Sequence, residues 1–221
     1  MSWEDVAFIS DIPGKNSGEQ GLGGGGESTQ QLIDAVRNAK SSILIQSPYL
    51  VMPEGGIELF EELVDRGVRI RISTNSLAST DNIQAFSGYH GQRKALLKAG
   101  VELYEFKAYP AIRDELIERF PDLAERNPVF AIHAKSMVID DRIVFIGTFN
   151  LDPRSANLNT EVGMLADSVE LAGQLTASIE HDLDPANSWQ TTLEFNPDMA
   201  VSRLKRLRVW LNRALPLEPV L

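Results

Sequence analysis

FAIHAKSMVIDDRIVFIGTFN, residues 130–150, consists of two β-rich runs either side of a short polar break. Valine, isoleucine and phenylalanine suit the pleated, half-buried surface of a sheet, and Asp140-Asp141-Arg142 supplies a tight turn. FAIHAKSMVID and RIVFIG are therefore expected to be the two strands of one hairpin. Strand alternation then sends His133 and Lys135 to one face, with Ala134 and Ser136 on the other. Across the hairpin, Gly147 permits close backbone approach, and Thr148 and Asn150 can turn polar groups toward the same pocket. An imidazole, an ammonium, a hydroxyl and a carboxamide are expected to converge.

These groups suit chemistry at a phosphoryl centre. It needs a nucleophile that can leave again and fixed donors where negative charge builds on the non-bridging oxygens. An acidic metal cage is the usual alternative for phosphodiesters, but this segment offers a lysine where such a cage would place carboxylates. Neither a metal nor a cofactor is expected. The other two histidines, His90 and His181, lie in helical or loop stretches without comparable partners and read as surface residues.

Outward from the hairpin, helical and strand patterns alternate. Val6 to Ser10 reads as a short strand, followed by a glycine-rich loop. Ser28 with Gln31 gives a capping-box signal for an amphipathic helix to about Ala39. SSILIQS (41–47) is a strand, Gly56 to Asp65 a helix, VRIRIS (68–73) a strand, Asp81 to Lys98 a helix and VELYEF (101–106) a strand. Gly67 and Gly100 fall where a left-handed terminating residue is wanted. Ala111 to Arg126 reads as one surface helix, EVGMLA (161–166) as a buried strand, Ser168 to Asp182 as a helix and Asp198 to Arg213 as a last one. Alternation of this kind implies an α/β sandwich. The expected division is a strand and linker (1–27), a catalytic half-domain (28–190) and a C-terminal basic amphipathic helix and tail (191–221).

The composition, 43% hydrophobic and 24% charged over 221 residues, is that of a folded globular chain. Thirty-one acidic against 21 basic residues give a net charge of −10, which opposes non-specific adhesion to nucleic acid. With no cysteine, disulfides, thiolate metal sites and a cysteine nucleophile are excluded. No apolar run reaches the length of a membrane span, and the first residues do not read as a signal peptide, so a cytoplasmic or peripheral membrane location is expected. In RLKRLRVWLNRALPLEPVL (203–221) cations alternate with leucines and a tryptophan. Such a helix can lie on an anionic bilayer, or pack its apolar stripe on the sheet while its cationic stems snorkel.

The pattern His133-x-Lys135-x4-Asp140-x6-Gly147-Thr148-x-Asn150, with Glu161 downstream, resembles the signature motif of the phospholipase D superfamily. The one departure is Thr148 where that family more often has serine, and the hydroxyl is kept. NLDPRSANLNTEVG (150–163), SPYLVMP (47–53) and TNSLASTD (74–81) are similar to its bacterial cardiolipin synthase branch. The resemblance implies a phospholipase D-like α/β/α sandwich with a central mixed β-sheet flanked by helices, and catalysis through a phosphohistidine. It implies a phosphatidyl lipid such as phosphatidylglycerol as donor, and an alcohol or second lipid headgroup as acceptor. Carried over by residue, His133 is nucleophile or acid and base. Lys135, Asn150, Gly147 and Thr148 serve the phosphate, Asp140 supports the motif structurally, and Glu161 orients a histidine of the opposite half.

The family's mechanism needs two histidine motifs, and this chain has one. AFISDIPGKN (7–16) resembles the start of the second half of two-motif synthases, so the chain is expected to be a C-terminal half whose partner is an N-terminal half. A second copy in a homodimer is the alternative. A hydrolase, a single-motif nuclease, or a half that binds a phosphodiester or a protein without turnover are the competing functions.

Overall fold

In a computed structural model the described residues are 5–15, 25–126 and 128–213. Eight strands form one mixed sheet in the order β1-β7-β6-β5-β2-β3-β4-β8. Its centre is parallel: β2 (Ser42–Gln46), β3 (Arg69–Asn75) and β4 (Glu102–Phe106) are joined by α2 (Gly56–Asp65) and α3 (Ile83–Lys98). The other half is antiparallel, with β5 (Ser136–Ile139) and β6 (Ile143–Gly147) as the expected hairpin and β7 (Val162–Asp167) beside β6. The N-terminal strand β1 (Val6–Ser10) adds to β7 as an edge of the same sheet.

Alternation along each strand divides the core into two layers. Ile43, Ile45, Ile70, Ile72, Met137 and Phe145 point to one face, covered by α1 (Glu27–Arg37), α2, α3 and α8 (Arg203–Arg213). Leu44, Val138, Val144 and Ala166 point to the other, covered by α7 (Val169–Leu183) through Ala172, Ile179 and Leu183. The result is a mixed sheet between helical layers, the α/β/α sandwich expected. Gly67 and Gly100 have φ of +88° and +85°, as terminating residues before β3 and β4.

Several elements differ from the sequence reading. The α1 helix starts at Glu27 with Gly26 at its N-cap, and Ser28 forms no capping box. Its amide and hydroxyl are drawn to the Asp11 carboxylate at 2.9 and 2.6 Å. The surface helix expected over 111–126 is broken into α4 (Arg113–Arg119) and α5 (Asp122–Arg126), because Pro121 holds Phe120 out of the helical region at φ −132°, ψ 76°. EVGMLA is only half-buried: Gly163 and Ala166 are covered, but Val162 and Met164 are partly open to solvent, 38% and 42% exposed. The last helix begins late. Pro197–Ala200 forms a 3₁₀ turn pinned by Asp198 to Arg93 at 3.0 and 2.9 Å, and extended Val201 separates it from α8. The sequence reading missed β8 (Ser188–Thr191), which pairs with β4, and the short α6 (Pro153–Asn157) that Asp152 caps.

Candidate active site

The hairpin turn and the motif lie at opposite ends of β5. Asp140 and Asp141 both adopt left-handed φ, 53° and 52°, closing a two-residue turn whose twist matches the strands. The Asp140 carboxylate accepts from the Lys40, Ser41 and Ser42 amides at 2.7–3.1 Å and from the Ser41 hydroxyl at 2.9 Å. Burial alone would raise its carboxyl, but these donors together hold it below the usual carboxylate range. The four residues of β5 separate it from Lys135, on the order of 15 Å. Asp140 therefore stands apart from His133 and Lys135 and fastens β5 to the start of β2.

At the other end, β5 begins only at Ser136, so His133 and Lys135 ride on an extended approach segment, not on a paired strand. Ile132 is anchored on both sides by the buried Asn75. Its amide donates to Asn75 Oδ1 at 2.8 Å, and its carbonyl accepts from Nδ2 at 2.9 Å. At the far side the Gly147 amide donates to the Lys135 carbonyl at 3.1 Å. His133 is exposed, and the Tyr49 ring stands edge-on to its imidazole at 6.5 Å. Lys135 Nζ curls back to donate to the His133 carbonyl at 3.0 Å. Burial pushes the Lys135 ammonium down, while the charges of Asp152, Glu161 and Asp81 oppose that shift.

Gly147 and Gly163 face one another across β6 and β7. A Cβ on Gly147 would fall 2.5 Å from the Val162 carbonyl, and one on Gly163 2.5 Å from the Phe145 ring. This close rung lets Thr148 reach Glu161. The threonine hydroxyl donates to the Glu161 carboxylate and accepts from the Val162 amide at 3.0 Å. Thr148 is thus engaged with Glu161, a bond the sequence reading did not foresee. Asn150 follows, its amide donating to Ser155 Oγ at 3.2 Å and its buried Oδ1 without a partner among the described residues.

Tyr49, Asp152 and Asp11 went unrecognised in the sequence. Tyr49 donates to Asp81 at 3.1 Å, and burial together with the Asp81 and Asp152 charges pushes its phenol up to about 12. Asp152 caps α6 by accepting from the Ser155 amide at 2.6 Å, and burial raises its carboxyl. An Asp-Pro pair at a helix start is a readable signal for that cap. Asp11 was also missed. Its carboxylate accepts from Lys15 Nζ at 2.7 Å and from the Glu161 amide at 2.9 Å, tying the end of β1 to the site. Among the described residues no cluster of three or more histidine or acidic side chains is placed to hold a metal ion.

A mixed sheet that delivers a His-x-Lys segment to the end of its central hairpin defines a class of protein. The solved structure of Nuc, a phospholipase D family member from Salmonella typhimurium, superposes with a TM-score of 0.58 at 15% identity, over 85% of this chain and 99% of that one. The phosphatidylserine synthase of Haemophilus influenzae Rd KW20 gives 0.61 at 14% identity, over 98% of this chain and 47% of that one. The fold is thus of the phospholipase D type. Residues 32–183 match the family described as cardiolipin synthase, PLD-like domain, and the chain belongs to that family. Cardiolipin synthase C of Escherichia coli K12 is 34% identical across 99% of this chain, which spans 48% of that relative, about half its length.

Proposed function

We propose that this chain supplies the second of two catalytic motifs to a phosphatidyltransferase of the cardiolipin synthase type. The observation that carries the reading is the joining of His133 and Lys135 at one sheet end, beside the Thr148–Glu161 pair and Asn150. In the proposed reaction one motif histidine attacks phosphorus through a ring nitrogen. The P–O bond to the first alcohol breaks, and the leaving oxygen takes a proton from the other histidine. The acceptor hydroxyl then gives its proton to that second histidine and attacks the phosphohistidine, forming the new P–O bond and releasing the first imidazole. Phosphatidylglycerol fits as donor and a second lipid alcohol as acceptor; water in the acceptor's place makes the same site a hydrolase.

Lys135 and the Asn150 side-chain carboxamide are assigned to the non-bridging oxygens, where fixed charge and dipoles stabilise the transition state. Glu161, held by Thr148 and by Asp11 through its peptide, is assigned to orient a histidine. The partner motif comes from an N-terminal half or, as the alternative, from a second copy. The test is phosphatidylglycerol turnover with products resolved by mass, for this chain alone and with a first-motif half supplied. Turnover appearing only with that half, and abolished by His133→Ala in this chain, is the expected result. Retained transfer in the His133→Ala protein would refute the assignment.

A further inference from the structure

The α8 helix is amphipathic in the reverse sense to a core helix. Its buried residue is Val209, 2% exposed against the core. Leu204, Leu207 and Leu211, at spacings of three and four, and Trp210 are 60%, 50%, 51% and 64% exposed. The larger apolar stripe thus faces away from the sheet, and the packing alternative raised by the sequence does not account for it. Met199, 73% exposed, adds to the apolar surface just before the helix.

The charge of the segment is equally one-sided. From Met199 to Arg213 there are five cations, Arg203, Lys205, Arg206, Arg208 and Arg213, and no acidic residue, in a chain whose net charge is −10. Arg203, at the start of the helix, and Arg208, beside the apolar stripe, are both exposed. The rest of the surface is repelled by an anionic layer, so such a layer would orient the molecule with α8 toward it. Two copies of α8 laid face to face would bring like charges together, which disfavours a symmetric pair on this face.

We propose that α8 is the membrane-docking element of this chain and that its occupant is an anionic phospholipid bilayer, with Leu204, Leu207, Trp210 and Leu211 entering the interfacial layer. Arg208 and Asn212 of the same helix line a cleft of about 500 Å³ with Tyr49, Asp81, Asn82 and Gln84. Tyr49 is the residue that stands against His133. Docking through α8 would therefore set this cleft, which adjoins the candidate site through Tyr49, beside the lipid surface. This deepens the phosphatidyltransferase reading by naming how the site meets its substrate, but the binding itself does not depend on turnover.

The test is co-sedimentation of the full chain with phosphatidylcholine vesicles, with and without one part in three of phosphatidylglycerol. Binding to the anionic vesicles, weak on the neutral ones and falling with added salt, is expected. Leu207→Gln/Trp210→Gln should lower the partition at least ~10-fold with an unchanged urea unfolding midpoint, since both side chains are exposed. His133→Ala should bind vesicles as the unaltered chain does. If it does so while no preparation turns over phosphatidylglycerol, the docking proposal stands and the transferase reading falls. Failure of the chain to sediment, or equal partition of the double variant, overturns the proposal. So does a concentration-dependent dimer that the double variant abolishes, because a second copy would then be the occupant.

Discussion

Asp11→Asn should loosen the join between the N-terminal strand and the candidate site. The Asp11 carboxylate accepts from Lys15 Nζ at 2.7 Å, the Ser28 amide and hydroxyl at 2.9 and 2.6 Å, and the Glu161 amide at 2.9 Å. The Lys15 and Asp11 side chains are 1% and 0% exposed. Burial alone would raise the carboxyl, but Lys15, Ser28 and the Glu161 amide overcome it and hold the group at about 2 against an ordinary 3.8. That depression corresponds to roughly 2 kcal/mol. Asparagine also leaves Lys15 buried without its anion, which brings the expected loss to ~3 kcal/mol. With a urea slope of ~2 kcal/mol per molar, the unfolding midpoint should fall by about 1.5 M. The folded-state carboxyl is depressed, so its contribution is complete above about pH 4 and fades as pH falls through about 2. The gap between the two proteins should close over that window. A midpoint shift below ~0.3 M at neutral pH, or a gap that persists unchanged to pH 2, would refute the argument.

Lys135→Met should weaken inorganic phosphate binding at least ~10-fold, followed by phosphorus NMR titration. In the unaltered chain, binding should fall as pH rises through an ammonium pKa below the ordinary lysine range, since burial lowers it; equal affinity in the variant would count against the grip. Asp140→Ala removes the carboxylate that accepts from Lys40, Ser41 and Ser42, leaves the backbone bond to the Ser42 carbonyl, and places alanine at φ 53°. A stability loss of roughly 2–3 kcal/mol is expected by urea unfolding, with phosphate affinity within a factor of two. Loss of phosphate affinity in a folded Asp140→Ala protein would place that residue in the site after all.

The sandwich was legible because three helix–strand alternations and a hairpin leave few ways to bury their apolar faces. The motif cluster was legible because its members are close in sequence: His133, Lys135, Gly147, Thr148 and Asn150 share one hairpin and its exit. What could not be read depends on pairings between distant segments. No local pattern links Asp11 to Glu161, Asn75 to Ile132 or Tyr49 to His133. Ser28 looked like a cap because capping is a local rule, and a carboxylate seventeen residues away took its donors instead. Likewise β8 is four residues long, SWQT, and only its place beside β4 makes it a strand.

The way Asn75 holds Ile132 has a consequence for how His133 moves. A carboxamide side chain supplies both the donor and the acceptor that a neighbouring strand would otherwise provide, at a single residue. The next backbone fastening is the Lys135 carbonyl to Gly147. Between these two points the His133 peptide hangs like a span between piers, free of any ladder, so its imidazole can tilt by small backbone rotations without disturbing the sheet. In the proposed mechanism a motif histidine, whether as nucleophile or as acid and base, has use for that freedom. Hydrogen exchange should report it, with slow exchange at the Ile132 and Gly147 amides and fast exchange at His133 and Ala134 between them.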